Sequence, residues 1–177
     1  MNILRGHLPA ILDIGEFVAR RVQAGATVFL EGNGGSHSLV EHLGGELIGR
    51  LGSDAPPIGA VVLQNSPPVT SALSNDFGFE NAMERELRAL CRPGDVFIAV
   101  SGSGESANLI RAAEAANSLA VSTICLVGKR YSRLAMVSTR SICCSATSTV
   151  VAQQLHMVLM HSLRLAIEAS LASVGTR

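Results

Sequence analysis

The residues with the most distinctive chemistry lie between Gly32 and Leu47, in the stretch GNGGSHSLVEHLGGEL. His42 and Glu46 are four residues apart, so on a helix they project from one face, one turn apart. Such a pair can exchange protons with a substrate or bind a metal ion, but it is also typical of an ordinary solvated helix surface. Arg50 extends the row by another four residues, which favours a functional row.

Two segments rich in glycine and serine form a second group of candidates. EGNGGS covers residues 31–36 and SGSGES covers residues 101–106, each directly before a predicted helix. A helix N-terminus offers unpaired N–H groups, glycine lets the backbone close on an anion, and serine adds donors. One such loop could equally be a turn with a helix cap, but two favour a phosphate site. Neither loop matches the P-loop or GxGxxG pattern, so a small phosphate ester is favoured over a nucleotide.

Gln153, His156 and His161 are the polar residues of a late, otherwise apolar helical pattern, QQLHMVLMHSLRLAIEASL. A lone histidine on such a helix is usually a hydrogen-bonded core residue, and buried polar groups need partners. Gln153 and His161 are separated by about 12 Å along a helix axis. If both serve one site, a neighbouring chain is the expected source of one of them.

The surrounding pattern alternates strands and helices. Short apolar runs without polar alternation predict strands buried on both faces at Thr27–Leu30, Ile58–Leu63, Val96–Val100, Val121–Val127 and Ser141–Cys144. Helical patterns cover His7–Ala24, His37–Arg50, Glu80–Leu90, Ser106–Ser118 and Thr149–Ser173. This order predicts an α/β fold in which helices cover both faces of a parallel sheet. Ligands of such sheets bind beyond the carboxyl ends of the strands, where both glycine and serine loops fall.

The length and composition limit the classes of function. A chain of 177 residues predicts one domain over residues 1–177, with an N-terminal helix over about 1–24, a core over about 25–148 and a C-terminal helix over about 149–173. Basic and acidic residues both number 14 and are interspersed, and aromatic residues make up 3%, which argues against nucleic acid and anionic membranes as partners. Without a membrane span or signal-peptide core, the sequence predicts a cytoplasmic protein. The cysteines have no CxxC spacing and are expected to be reduced, mostly buried thiols; they are Cys91, Cys125, Cys143 and Cys144.

Four blocks of the sequence together resemble the phosphoheptose isomerases of the SIS (sugar isomerase) domain superfamily. The blocks are GNGGSH…H…EL.GR at residues 32–50, SNDFG at 74–78, RPGDVFIAVSGSGES.N at 92–108 and Q..H….H at 153–161. The resemblance implies a three-layer α/β sandwich around a five-stranded, parallel, flavodoxin-like sheet. It also implies a homotetramer with active sites between subunits and a sedoheptulose 7-phosphate isomerase activity that yields D-glycero-D-manno-heptose 7-phosphate or a related sugar phosphate.

The resemblance also assigns roles to individual residues. Phosphate binding falls on the serines Ser36, Ser101, Ser103 and Ser106, with Gly102 between them, and sugar binding on Asn33, Gly34, Gly35, Asn75, Asp76, Arg50, Glu46 and Gln153. A Zn²⁺ ion would be bound by His42, Glu46, Gln153 and His161. Isomerisation through an enediol needs a base and an acid, for which Glu46 and His161 are the candidates.

The chain departs from the family pattern around the sugar. The differing positions are Leu39, Gly102, Val151 and Gln154, together with the KRYSR turn at residues 129–133. These departures leave the identity of the sugar phosphate open. The alternative function is a non-catalytic SIS module that binds a partner protein or senses a phosphosugar, but the retained acid, base and metal-ligand set favours an enzyme.

Overall fold

The computed structural model describes residues 2–51 and 55–174. Five parallel strands form its sheet, in the order β2-β1-β3-β4-β5. They are β1 (Val28–Gly32), β2 (Ala60–Val62), β3 (Val96–Ser101), β4 (Ser122–Val127) and β5 (Arg140–Cys143). The parallel, flavodoxin-like sheet predicted from the sequence is therefore confirmed. β1 and β3, which adjoin at its centre, are buried at every position, as expected for strands covered on both faces.

The described part of the chain has seven helices. They are α1 (Asn2–Gln23), α2 (Gly35–Ile48), α3 (Pro67–Phe77), α4 (Phe79–Leu90), α5 (Ala107–Ser118), α6 (Arg133–Val137) and α7 (Thr149–Val174). One core cluster joins α1, α2 and α7 to one sheet face, and a second joins α4, α5 and α6 to the other. This arrangement confirms the three-layer sandwich.

Two helices were absent from the sequence interpretation. α3 starts with Pro67 and Pro68, and its many small polar residues read as a loop. Proline is favoured in the first turn of a helix, where its missing N–H needs no partner, and Gly78 ends the helix with a positive φ of 83°. Those two signals could have predicted α3. α6 has only five residues, too short for a periodic pattern.

Helix ends also differ from the expectation in two places. α1 begins at Asn2 rather than His7 and continues through Pro9, which has no N–H to donate to the Arg5 carbonyl oxygen one turn earlier. α2 ends at Ile48, where the Gly49 N–H donates to the Gly45 carbonyl oxygen. The prediction that α2 reaches Arg50 is wrong, so Arg50 does not continue the row of His42 and Glu46.

All four cysteines are free thiols, as predicted. Cys91, Cys125 and Cys144 are buried and Cys143 is partly buried. Burial raises the pKa of Cys125 to about 11, which keeps this thiol protonated near neutral pH.

Candidate active site

The two glycine and serine loops lie next to each other at the point where the strand order reverses. β1 pairs with β3 over its whole length, with Gly32 opposite Val100, so the loops that follow these strands share one edge of the sheet. β2 and β3 flank β1, and this topological switch point is where open α/β sheets bind ligands. The fold therefore brings both predicted anion loops to the expected place.

The first loop is closely packed against its own helix and against α7. A Cβ atom on Gly32 would lie 2.7 Å from the Ser36 backbone, and one on Gly35 would lie 2.5 Å from Gln153 Nε2. Gly34 has a positive φ of 55°, a conformation that L side chains rarely adopt. The glycines are thus needed for space or conformation, and they bring Gln153 against the loop.

The second loop presents serine hydroxyls that are already oriented. Ser101 Oγ accepts a hydrogen bond from the Gly104 N–H at 3.0 Å, and Ser103 Oγ accepts one from the Glu105 N–H at 3.2 Å. A hydroxyl that accepts from the backbone still has its own O–H to donate. Ser106 is the N-cap residue of α5. The loop therefore has donors available for an anion, and its binding of phosphate stays a prediction.

Asn108 connects the two loops, a role that the sequence interpretation did not assign to it. Its Nδ2 donates to Asn33 Oδ1 at 2.8 Å, and Asn33 Nδ2 donates back to Asn108 Oδ1 at 3.0 Å. Asn108 is 3% exposed, so this reciprocal amide pair is largely protected from water. The signal was present in the sequence, because Asn108 is the last residue of the SGSGES.N block and lies in the first turn of α5.

His42, Glu46 and His161 form a compact cluster. Glu46 Oε1 lies 3.0 Å from His42 Nε2 and 3.1 Å from His161 Nε2, and the two Nε2 atoms are 3.1 Å apart. The i, i+4 spacing brings the first two residues together on α2, and packing of α7 against α2 adds His161. Glu46 is buried, whereas the His42 and His161 side chains are 48% and 37% exposed.

The donor set of this cluster fits a divalent transition metal. Two imidazole nitrogens and a carboxylate oxygen converge within 4.8 Å of one another, and ligands of a tetrahedral zinc ion lie about 3.3 Å apart, given bonds of about 2.0 Å. Glu46 Oε2 is buried without a hydrogen-bond partner in the described chain, which leaves the carboxylate further capacity to bind. The cluster is therefore a possible metal-binding triad.

Gln153 does not join this triad through any recorded contact. It packs against Gly35 at the start of α2, whereas His161 lies beside His42 and Glu46 further along the same helix. This agrees with the separation expected along α7. A role for Gln153 as a metal ligand stays a prediction.

Arg164 binds the backbone of Glu46, one of the three residues of the triad. It is fully buried, and its Nε donates to the backbone carbonyl oxygen of Glu46 at 3.1 Å, while its Nη1 donates to Glu168 Oε2 at 3.0 Å. The Glu46 carbonyl belongs to the last turn of α2, where carbonyl groups lack helical partners and a cation is favourable. Sequence reasoning missed this residue, because its burial depends on the packing of α7 on α2.

Glu31 and His37 form a second acid–imidazole pair, at the base of the first loop. Glu31 Oε1 lies 2.7 Å from His37 Nδ1 and accepts the Gly32 N–H at 2.8 Å. Burial raises the pKa of Glu31, and the hydrogen bond to Glu31 raises the pKa of His37. Glu31 begins the EGNGGS loop and His37 directly follows it, but their spacing in the sequence did not predict that the two side chains are in contact.

His156 is a fully buried histidine of α7 without a side-chain partner. Neither ring nitrogen makes a hydrogen bond within the described residues, and burial lowers its pKa against a smaller opposing influence of the Val127 backbone. The sequence predicted a buried, hydrogen-bonded histidine. The burial is confirmed, but the described residues provide no hydrogen bond to the ring.

Two further predicted residues lie on α3. Asn75 and Asp76 are exposed in its last turn, where Asn75 Nδ2 donates to Asp76 Oδ1 at 2.9 Å. Their part in sugar binding, like that of Arg50, stays a prediction. A surface groove of about 430 Å³ lies elsewhere, between α4 and α5, and includes Glu84 and Arg111. No helix in the described ranges is long and apolar enough to cross a membrane.

The fold and the site together define the class of protein. A family model described as SIS domain matches residues 3–128, so the chain belongs to the SIS domain family. A solved structure of a phosphoheptose isomerase from Neisseria gonorrhoeae superposes with a TM-score of 0.85 at 25% identity, covering 95% of this chain and 90% of that one.

Curated relatives narrow the class to one family. A phosphoheptose isomerase from Streptomyces coelicolor is 38% identical over 89% of this chain and 68% of its own length. One from Aquifex aeolicus is 35% identical over 86% of this chain and 80% of its own length. The chain is thus a member of the phosphoheptose isomerase family.

Proposed function

We propose that this protein is a sugar-phosphate isomerase that converts sedoheptulose 7-phosphate, or a related ketose phosphate, into the corresponding aldose phosphate. The observation that carries the proposal is the triangle of His42, Glu46 and His161, formed between α2 and α7. α2 begins within the first of the two serine-bearing loops at the switch point. The family membership supports the same activity. A partner-binding module would need neither the buried carboxylate nor the two converging imidazoles.

The distance between the two parts of the site suits a long sugar phosphate. Ser36 lies in the first turn of α2 and His42 six residues later, which places them about 9 Å apart along the helix axis. This distance is comparable with the reach of an open-chain heptose from its phosphate to its first two carbons. The loops would hold the phosphate while the triad faces the reacting carbons.

The chemistry requires a proton to move between two neighbouring carbons. Glu46 takes the proton from C1 of the ketose, and His161 donates a proton to the C2 oxygen, which gives an enediol. Return of the proton from Glu46 to C2, with loss of the O1 proton to His161, completes the aldose. The side-chain carboxylate of Glu46 is held beside both histidines, so it needs no reorganisation before it acts.

A zinc ion is part of the proposal, with His42, Glu46 and His161 as its ligands in this chain. Glu46 and His161 would have to leave the ion while they move a proton. Once bound, it would supply Lewis-acid stabilisation of the oxygen that becomes negative during enediol formation. Gln153 is the proposed fourth ligand, supplied by a neighbouring chain because its own position lies against Gly35.

We further propose a homotetramer with its sites between subunits. Two site histidines are about half exposed in the single chain, and α7 also exposes Val150, Val158 and Leu165 at 67%, 43% and 52%. Apolar side chains on the helix that carries the site suit a covering subunit. Light scattering coupled to size exclusion would measure the assembly, and a monomer would contradict this part of the proposal.

Replacement of the proposed base tests the function. Glu46→Gln keeps the shape of the side chain but removes its basicity, so we expect the appearance of aldose from sedoheptulose 7-phosphate to fall by at least a hundredfold, with phosphosugar binding retained. Glu114→Gln, on the exposed surface of α5, is the matched control and should keep full activity. The parent should also lose activity in the presence of a chelator and regain it with Zn²⁺.

Unchanged turnover by Glu46→Gln would refute the assignment of the base. A parent protein that binds the phosphosugar but forms no aldose, with or without zinc, would refute the enzyme and favour the sensing or adaptor function.

A further inference from the structure

A buried carboxylate lies at the base of the proposed phosphate cradle, which is the loop of residues 32–36. Glu31 is the residue before this loop, its side chain is fully inaccessible to water, and its Oε2 atom has no hydrogen-bond partner in the described structure. Its Oε1 atom holds the Gly32 N–H and His37 Nδ1. The two residues that flank the cradle are thus joined beneath it.

This arrangement poses an electrostatic problem for an anion-binding loop. A buried negative charge acts over several ångströms with little screening, so an ionised Glu31 would repel a phosphate dianion bound just above it. The positive end of α2 contributes only about half a charge. His37, in the first turn of α2, is the only basic side chain recorded in contact with Glu31 in the described residues.

We propose that Glu31 and His37 are a charge-compensating pair, and that the cradle binds a phosphate dianion well only while His37 carries its proton. His37 is therefore a positioning and charge-balancing residue, not a group that exchanges protons with the sugar. The inference rests on the proposed function insofar as the loop binds phosphate, but it does not depend on which sugar is isomerised.

The carboxylates that face His37 favour its protonated form. Besides Glu31 on β1, Glu41 on its own helix lies 4.0 Å from His37 Nε2, and Glu86 on α4 acts on Glu31. The hydrogen bond to Glu31 raises the pKa of His37, and partial burial of the ring opposes it. Because this pKa lies above 6.5, phosphate binding should weaken as the pH rises through the folded value, not as it falls.

A double-mutant cycle with a phosphate monoester tests the pair. The probe is glycerol 3-phosphate, whose affinity is measured by calorimetric titration between pH 7 and pH 9, where the monoester is already a dianion because its second pKa is about 6. His37→Asn removes the compensating charge and should weaken binding on the order of tenfold. Glu31→Gln/His37→Asn removes both charges and should restore most of that loss. Both variants should lose the pH dependence of the parent.

His7→Asn on α1 is the matched control and should bind like the parent, and thermal unfolding verifies that each variant is folded. A purely structural role predicts that the double variant binds no better than His37→Asn, and that result would overturn the proposal. Unchanged affinity of His37→Asn would overturn it as well. A parent that binds no glycerol 3-phosphate would refute the cradle itself, whereas normal binding with no turnover of a heptulose would refute the isomerase alone.

Discussion

Replacement of Arg164 by methionine should destabilise the protein by about 2 kcal/mol. The change removes a hydrogen bond from a charged donor to the Glu46 carbonyl, worth about 1.5–3 kcal/mol, and leaves Glu168 without its cation. The Glu168 side chain is 18% exposed, so water can solvate the carboxylate that is left unpaired. Leaving Glu168 unpaired should therefore cost well below the 3–5 kcal/mol lost when a fully buried ion pair is broken. The Nη2 atom of Arg164 is buried without a hydrogen-bond partner among the described residues, and its removal regains about 1 kcal/mol.

Urea unfolding followed by far-ultraviolet circular dichroism is the suitable measurement, because the chain has no tryptophan. All proteins should be compared at one concentration, since subunit association contributes to apparent stability. Arg88→Met is the matched control: its ion pair with Glu84 is 45% and 26% exposed, so its loss should cost less than about 1 kcal/mol.

Arg164→Met/Glu168→Gln should recover part of the lost stability, because it removes the carboxylate that the single variant leaves unpaired. If Arg164→Met costs no more than Arg88→Met, Arg164 does not hold the end of α2, and its described role is wrong.

Two further predictions concern the loop and the core. Gly104 has a positive φ of 69° and its Cβ position meets Ser132, so Gly104→Ala should lower the unfolding free energy by more than about 1 kcal/mol. Gly102→Ala, where a Cβ would make ordinary contacts at 3.7 Å, should not lower it in the same urea titration. Burial lowers the pKa of His156, so the folded state binds fewer protons than the unfolded state, and stability should fall as the pH drops below 6.5. His156→Leu should lessen this acid loss in thermal unfolding at pH 5 and pH 7.5, and an identical pH dependence would contradict the assignment.

Much of the fold could be predicted because strand and helix patterns are local. Val96–Ser101 is an apolar, β-branched run, and glycine and serine follow it directly, so the strand and its loop were visible in the sequence. α3 was missed because its two prolines and small polar residues also suit a loop, and the prediction for Arg50 failed because Gly49 ends α2 one residue before it.

The candidate site also has parts that the sequence could predict and parts that it could not. His42 and Glu46 lie on one helix face because they are four residues apart, which can be read directly from the sequence. The sequence also predicted the positions of the two glycine and serine loops, because glycine and serine before a helix act through local backbone geometry.

Only the tertiary structure decided which distant groups meet these local features. In the folded chain, His161 contacts Glu46 of the α2 pair and Arg164 donates to the Glu46 carbonyl oxygen. His37 forms a hydrogen bond with Glu31. These contacts depend on how α7 packs on α2 and how the first turn of α2 folds back over the end of β1. Such packing is set by the whole core rather than by any spacing, which is why the charge balance beneath the cradle cannot be seen in the sequence.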